Sequence, residues 1–89
     1  MTNKTEKKQY QFPKDYEVAD LKGSQTKRGA YSFRHSRLLV EFHNGDVYAY
    51  EAVPIQMWED FKNAKSMGSF FYKNIRNNKT ITNSKVHNG

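Results

Sequence analysis

The stretch 37-RLLVEFHNGDVYAYE-51 leaves this chain few choices of fold. Leu38, Val40 and Phe42 alternate with Leu39 and Glu41, the period of a half-buried strand, and Asn44-Gly45 then marks a tight antiparallel turn into a second strand. Two registers are open. A two-residue Asn44-Gly45 loop pairs His43 with Asp46 and puts Tyr48 and Tyr50 on the face of Glu41, away from Leu38, Val40 and Phe42. A type I turn over His43-Asn44 with Gly45 left-handed pairs Phe42 with Asp46, Val40 with Tyr48 and Leu38 with Tyr50. Burial favours the second, because it gathers every large side chain on one face and leaves Glu41, Val47 and Glu51 outside.

The period changes after Val53-Pro54. Pro54 suits a first helical position, and Ile55, Trp58 and Phe61 lie three apart with Ala64 behind them, predicting a helix over 54–64 whose apolar stripe covers the sheet. Ser66-Met67-Gly68-Ser69 breaks that helix and supplies a Ser cap for a shorter one over 69–77, with Phe71 and Ile75 on its inner face. Upstream, Thr26 to Phe33 reads as another strand and 34-RHSR-37 as the turn that follows it. Residues 12–21 fit either a short helix starting at Pro13 or an irregular arm. The expected fold class is α+β, a three-stranded antiparallel β-meander packed by two C-terminal helices. Its core is expected to hold Leu38, Val40, Phe42, Tyr48, Tyr50, Ile55, Trp58, Phe61, Phe71 and Ile75. The domain spans 18–78, with a flexible, lysine-rich arm at 1–17 and a flexible polar tail at 79–89.

Eighty-nine residues allow one small domain, and with no cysteine neither a disulfide nor a thiolate metal site can staple it. No run approaches the roughly 20 apolar residues of a membrane span, and the polar N-terminus lacks a signal-peptide core, so the cytoplasm is the expected location. The formal net charge is +6. Lys and Arg stand without acids over 21–40 and 65–89, whereas Glu41, Asp46, Glu51, Glu59 and Asp60 stand without bases over 41–60.

The stretch 38-LLVEFHNGDVYAYEAVP-54, the helix with Trp58 and Phe61, and then Ala64, Ser66, Gly68, Phe70 and Ile75 together resemble the KTSC domain. That module is named for its place at the C-terminus of some lysyl-tRNA synthetases and also occurs alone in bacteria and their phages. The resemblance rests on a central Y-x-Y at Tyr48-Ala49-Tyr50, the following Val53-Pro54, and an A-x-S-x-G element from Ala64 to Gly68. It covers about Ser24 to Arg76. The chain departs from the family pattern at Ala30-Tyr31-Ser32, where Gly-Tyr-Asp is frequent, and at Tyr72, where Asn is frequent. Attachment to a tRNA enzyme makes RNA the partner that the resemblance implies.

Nothing in the sequence marks catalysis. His35, His43 and His87 form no metal-ligand pattern, Glu59 and Asp60 are neighbours that point apart on a helix, and a Gly-rich phosphate loop or nucleophile elbow is absent. No enzyme activity and no cofactor or metal are expected. The candidate nucleic-acid-binding set is Arg34, Arg37, Lys62, Lys65, Lys73, Arg76 and Lys79 for phosphates, with Tyr31 or Tyr72 as an exposed ring for a base. Tyr48 and Tyr50 are read chiefly as core, base stacking being the alternative. The competing class is a protein-interaction or regulatory module, for example a phage protein acting on a host protein, with the acidic residues of 41–60 facing a basic partner.

Overall fold

The computed structural model describes residues 10–89. Five strands form one antiparallel meander in sequence order: β1 (Glu17–Asp20), β2 (Thr26–Ser32), β3 (Arg37–Phe42), β4 (Val47–Glu51) and β5 (Thr82–His87). Helix α1 (Ile55–Lys62) follows β4, and α2 runs as an α-helix over Met67–Phe70 and winds on as a π-helix over Phe71–Arg76. Ser66 caps α2, its hydroxyl accepting from Ser69 N–H at 3.4 Å.

The β3–β4 hairpin takes the register that burial favours. Leu38 faces Tyr50 and Val40 faces Tyr48, Gly45 N–H donates to Phe42 O at 2.9 Å, and Gly45 sits at φ 94°, a conformation glycine adopts without steric cost. Both helices pack on the face this creates. Leu38, Val40, Tyr50, Trp58, Phe61, Phe71 and Ile75 are buried there with Leu21, Tyr31, Val53 and Ile81.

The structure corrects the sequence reading in five places. The meander has five strands rather than three: residues 17–20 pair with β2 instead of forming a helix or irregular arm, and 82–87, expected to fray, pair with β4. Neither strand alternates large apolar residues, because both are edges held chiefly by backbone hydrogen bonds. Second, the outer face of the sheet is covered. Tyr10, Phe12 and Tyr16 pack against Ala30, Leu39, Val47 and Ala49, so Val47 and Glu41, expected outside, are buried. The rest of the expected arm, residues 1–9, lies outside the described part.

Third, Ile55 is 50% exposed, since it opens α1 beyond the edge of the stripe that Trp58 and Phe61 bury. Fourth, Phe42 and Tyr48 are only partly buried and border the core. Fifth, Tyr31 is 1% exposed, its hydroxyl donating to Val53 O at 2.6 Å and its ring stacked on Trp58. It is a core residue and offers no face to a base.

Candidate nucleic-acid interface

Ion pairing decides which cations are left to bind anything. Arg28 Nε reaches Glu41 at 2.6 Å beneath the aromatic arm, its guanidinium also stacking 4.6 Å from the Phe12 ring centre. Arg37 donates to Tyr16 Oη at 3.1 Å and pairs with Glu51 at 2.8 Å, and these bonds, the one to Tyr16 first, hold its pKa above the ordinary arginine value. Lys62 lies between Glu17 (3.3 Å) and Glu59 (3.2 Å) and 5.0 Å from the Trp58 ring centre. Lys85 reaches Asp46 at 3.3 Å. The acidic residues of 41–60 are thus not a strip. Antiparallel pairing zips Glu41 and Glu51 against bases from the neighbouring strand, and Glu41, at 3% exposure, is no docking surface.

This divides the sequence-derived set. Arg37 and Lys62 are engaged with carboxylates and Tyr31 is buried. Arg34 occupies the β2–β3 turn, at the end of the sheet opposite the β1–β2 and β3–β4 turns. Lys65, Lys73, Arg76 and Lys79 are exposed, and among the described residues none lies within ion-pair distance of a carboxylate. All four flank or lie on α2. Tyr72 is on the same element, 49% exposed, with the Arg76 guanidinium 5.2 Å from its ring centre and Arg76 Nη1 donating to its hydroxyl at 3.4 Å. The π-helical turn contributes, because Asn77 N–H bonds back five residues to Tyr72 O and widens the helix where Tyr72 and Arg76 meet.

Sequence reasoning missed a groove beside this face. It has two lobes that share Ser24, Gln25, Phe42, Phe71 and Arg76. One, about 440 Å³, runs over Tyr48 and Tyr50 and is edged by His43, Asn44, Asp46 and Asn83. The other, about 330 Å³, is edged by Thr26, Ser66, Gly68, Ser69 and Tyr72. Half-buried aromatics at Phe42 and Tyr48 were the available signal, but Asn83 joins the groove through β5, which the sequence does not announce. Burial pushes the Tyr50 phenol up to about 12, against the pull of nearby Arg76. Asp46 is held below the usual carboxylate range, first by Gly89 N–H and then by Lys85. No cluster of three or more His, Cys, Asp or Glu that could hold a metal ion occurs among the described residues.

Comparison with known proteins places this geometry. The family model described as "KTSC domain" matches residues 22–78, well over half of the chain. The chain belongs to the KTSC domain family. Within curated proteins, the lysine–tRNA ligase of Nostoc punctiforme is 41% identical over 54 residues and that of Trichormus variabilis 39%. The match covers 61% of this chain and 10% of each ligase, so the KTSC region is a small part of those enzymes. The crystal structure of a KTSC domain protein from Yersinia pestis aligns with a TM-score of 0.72 at 21% identity, over 81% of this chain and 99% of that one, and shares the fold. No helix of the described residues is long and apolar enough to cross a membrane.

Proposed function

We propose that the chain is a non-catalytic RNA-binding module whose contact face is the exposed side of α2. One observation carries this reading: of the eight described cations outside the ion pairs, four, Lys65, Lys73, Arg76 and Lys79, flank or lie on a single element that also exposes the Tyr72 ring. Cations free of carboxylates release counterions when they meet phosphates, and an Arg stacked on a Tyr presents a flat surface to a base. The KTSC region's place in lysine–tRNA ligases supports RNA over DNA. The protein-interaction alternative loses its main argument, because four of the acids on which it relied, Glu41, Asp46, Glu51 and Glu59, are paired with bases of the same chain. Titration of fluorescent tRNA and of a single-stranded RNA at two salt concentrations tests the proposal. Binding that weakens steeply with salt supports it, and no binding at low salt refutes it.

A further inference from the structure

The two lobes of the groove differ in chemistry. The larger is flanked by rings, Phe42, Tyr48, Tyr50 and Phe71, and edged by Gln25 and Asn83, whose side chains carry amides, and by Asn44, whose amide is engaged by Asp46. Amides both donate and accept, as the edge of a nucleobase does, and aromatic rings suit its faces. Asp46, the carboxylate of this lobe, is engaged by Lys85 and Gly89 N–H. The smaller lobe has no carboxylate and is edged by hydroxyls, Thr26, Ser66 and Ser69, with Arg76 as its cation. Arg76 borders both lobes.

Thr26 adds an independent observation. It is 2% exposed, and its Oγ1 is the one buried side-chain polar atom among the described residues without a hydrogen-bond partner. It stands at a break in the β2–β3 register, between Thr26 and Arg28, of the kind that re-aims a side chain. An unpaired buried hydroxyl is a cost to the free protein that an acceptor entering the lobe removes.

We propose that the groove is a nucleotide subsite: the larger lobe takes an unstacked base against the part-exposed rings of Phe42 and Tyr48, and the smaller takes its phosphate on Arg76 and the hydroxyls of Thr26 and Ser69. The combined space falls in the range of small-ligand pockets. The proposal deepens the RNA reading and rests on it for the statement that the nucleotide belongs to a strand. It gives the α2 face a specificity element for single strands, since a base paired within a duplex cannot enter a groove.

The test is an NMR titration of the full chain with adenosine 5′-monophosphate, uridine 5′-monophosphate and inorganic phosphate, with a single-stranded RNA oligomer in parallel. The expected result is saturable shifts from either nucleotide at the side-chain amides of Gln25 and Asn83 and at Arg76. Inorganic phosphate should move Arg76 and Gln25, which line the smaller lobe, and leave Asn83 unmoved. Arg76→Gln should weaken nucleotide binding tenfold or more. Thr26→Val should weaken it several-fold while leaving the thermal midpoint unchanged or raised, because the free protein loses only an unpaired hydroxyl. If inorganic phosphate reproduces the whole pattern, the site selects an anion and no base, which overturns the proposal. RNA binding that leaves Gln25 and Asn83 unmoved overturns the groove and keeps the RNA reading. Nucleotide binding without any binding of the oligomer supports the groove and removes the RNA reading.

Discussion

At Gly29 the backbone of β2 passes under the six-membered ring of Trp58: a Cβ there would stand 3.0 Å from that ring and 3.0 Å from Leu21 Cδ1. Trp58 itself is fully buried, parallel to Tyr31 at 5.9 Å, and its indole N–H donates to Glu17 Oε1 at 3.0 Å. Gly29→Ala should therefore cost about 1–3 kcal/mol by overpacking, and Trp58→Ala about 3–5 kcal/mol by cavity formation. Urea unfolding read by circular dichroism measures both. The second loss is large against the roughly 5–15 kcal/mol by which domains are stable, so Trp58→Ala should leave a substantial unfolded fraction at 25 °C. Tyr50 gives a prediction in pH. Its folded pKa is raised, from 10.0 to about 12, chiefly by burial, so the fold favours the neutral phenol. That contribution is fully present below pH 10 and is lost as pH rises from 10 towards 12. Tyr50→Phe should flatten the decline in stability over this interval, as read by denaturation at successive pH values.

Strand β1 is tied to α1 by a single acid. Glu17 accepts from Trp58 Nε1 and pairs with Lys62, and its pKa is lowered, first by the Trp58 hydrogen bond. A depressed carboxylate stabilises above its ordinary value, here 4.5, and the gain is lost as pH falls through the folded value. Glu17→Gln should remove this part of the acid limb in a pH series of thermal midpoints while leaving the neutral-pH fold intact. At the other edge, β5 is anchored where it begins. Ile81 is buried, whereas Val86 is exposed. Ile81→Ala should cost about 2–5 kcal/mol and Val86→Ala less than about 0.5 kcal/mol.

These edges also mark how much of the fold was legible. The hairpin and α1 could be read because their order is local: Asn44-Gly45 leaves two registers and only one buries Val40 and Phe42 together with Tyr48 and Tyr50. In β5, Thr82-Asn83-Ser84-Lys85-Val86-His87, nearly every side chain is exposed and the strand exists through its hydrogen bonds to β4. Hydropathy carries no trace of such a strand. Tyr10, Phe12 and Tyr16 close the outer face from an arm without periodicity, which is why Glu41 and Val47 were read as exposed.

For the molecule as a whole, charge segregation along the chain is undone by folding. The bases of one strand meet the acids of the next, as Arg28 meets Glu41 and Arg37 meets Glu51, and of the described cations left over Lys65, Lys73, Arg76 and Lys79 flank or lie on α2, whereas Lys14, Lys22, Lys27 and Arg34 lie elsewhere along the chain. The candidate site was accordingly half legible. Lys65, Tyr72, Lys73, Arg76 and Lys79 flank or lie on one helix and are exposed, whereas Arg37, Lys62 and Tyr31 could be assigned to pairs and core only from tertiary contacts. Distinguishing the two kinds of cation is the sharpest test of the RNA reading. Binding of a single-stranded RNA should be measured by fluorescence anisotropy across a salt series for the native chain, for Lys65, Lys73, Arg76 and Lys79 changed together to Gln, and for Arg37 and Lys62 changed together to Gln. Four phosphate contacts on a single strand give a log–log salt slope of roughly −3. The account predicts that the fourfold variant loses most of that slope and at least tenfold in affinity, while the Arg37/Lys62 variant keeps both. Equal losses in the two variants, or a fourfold variant that binds like the native chain, would contradict it.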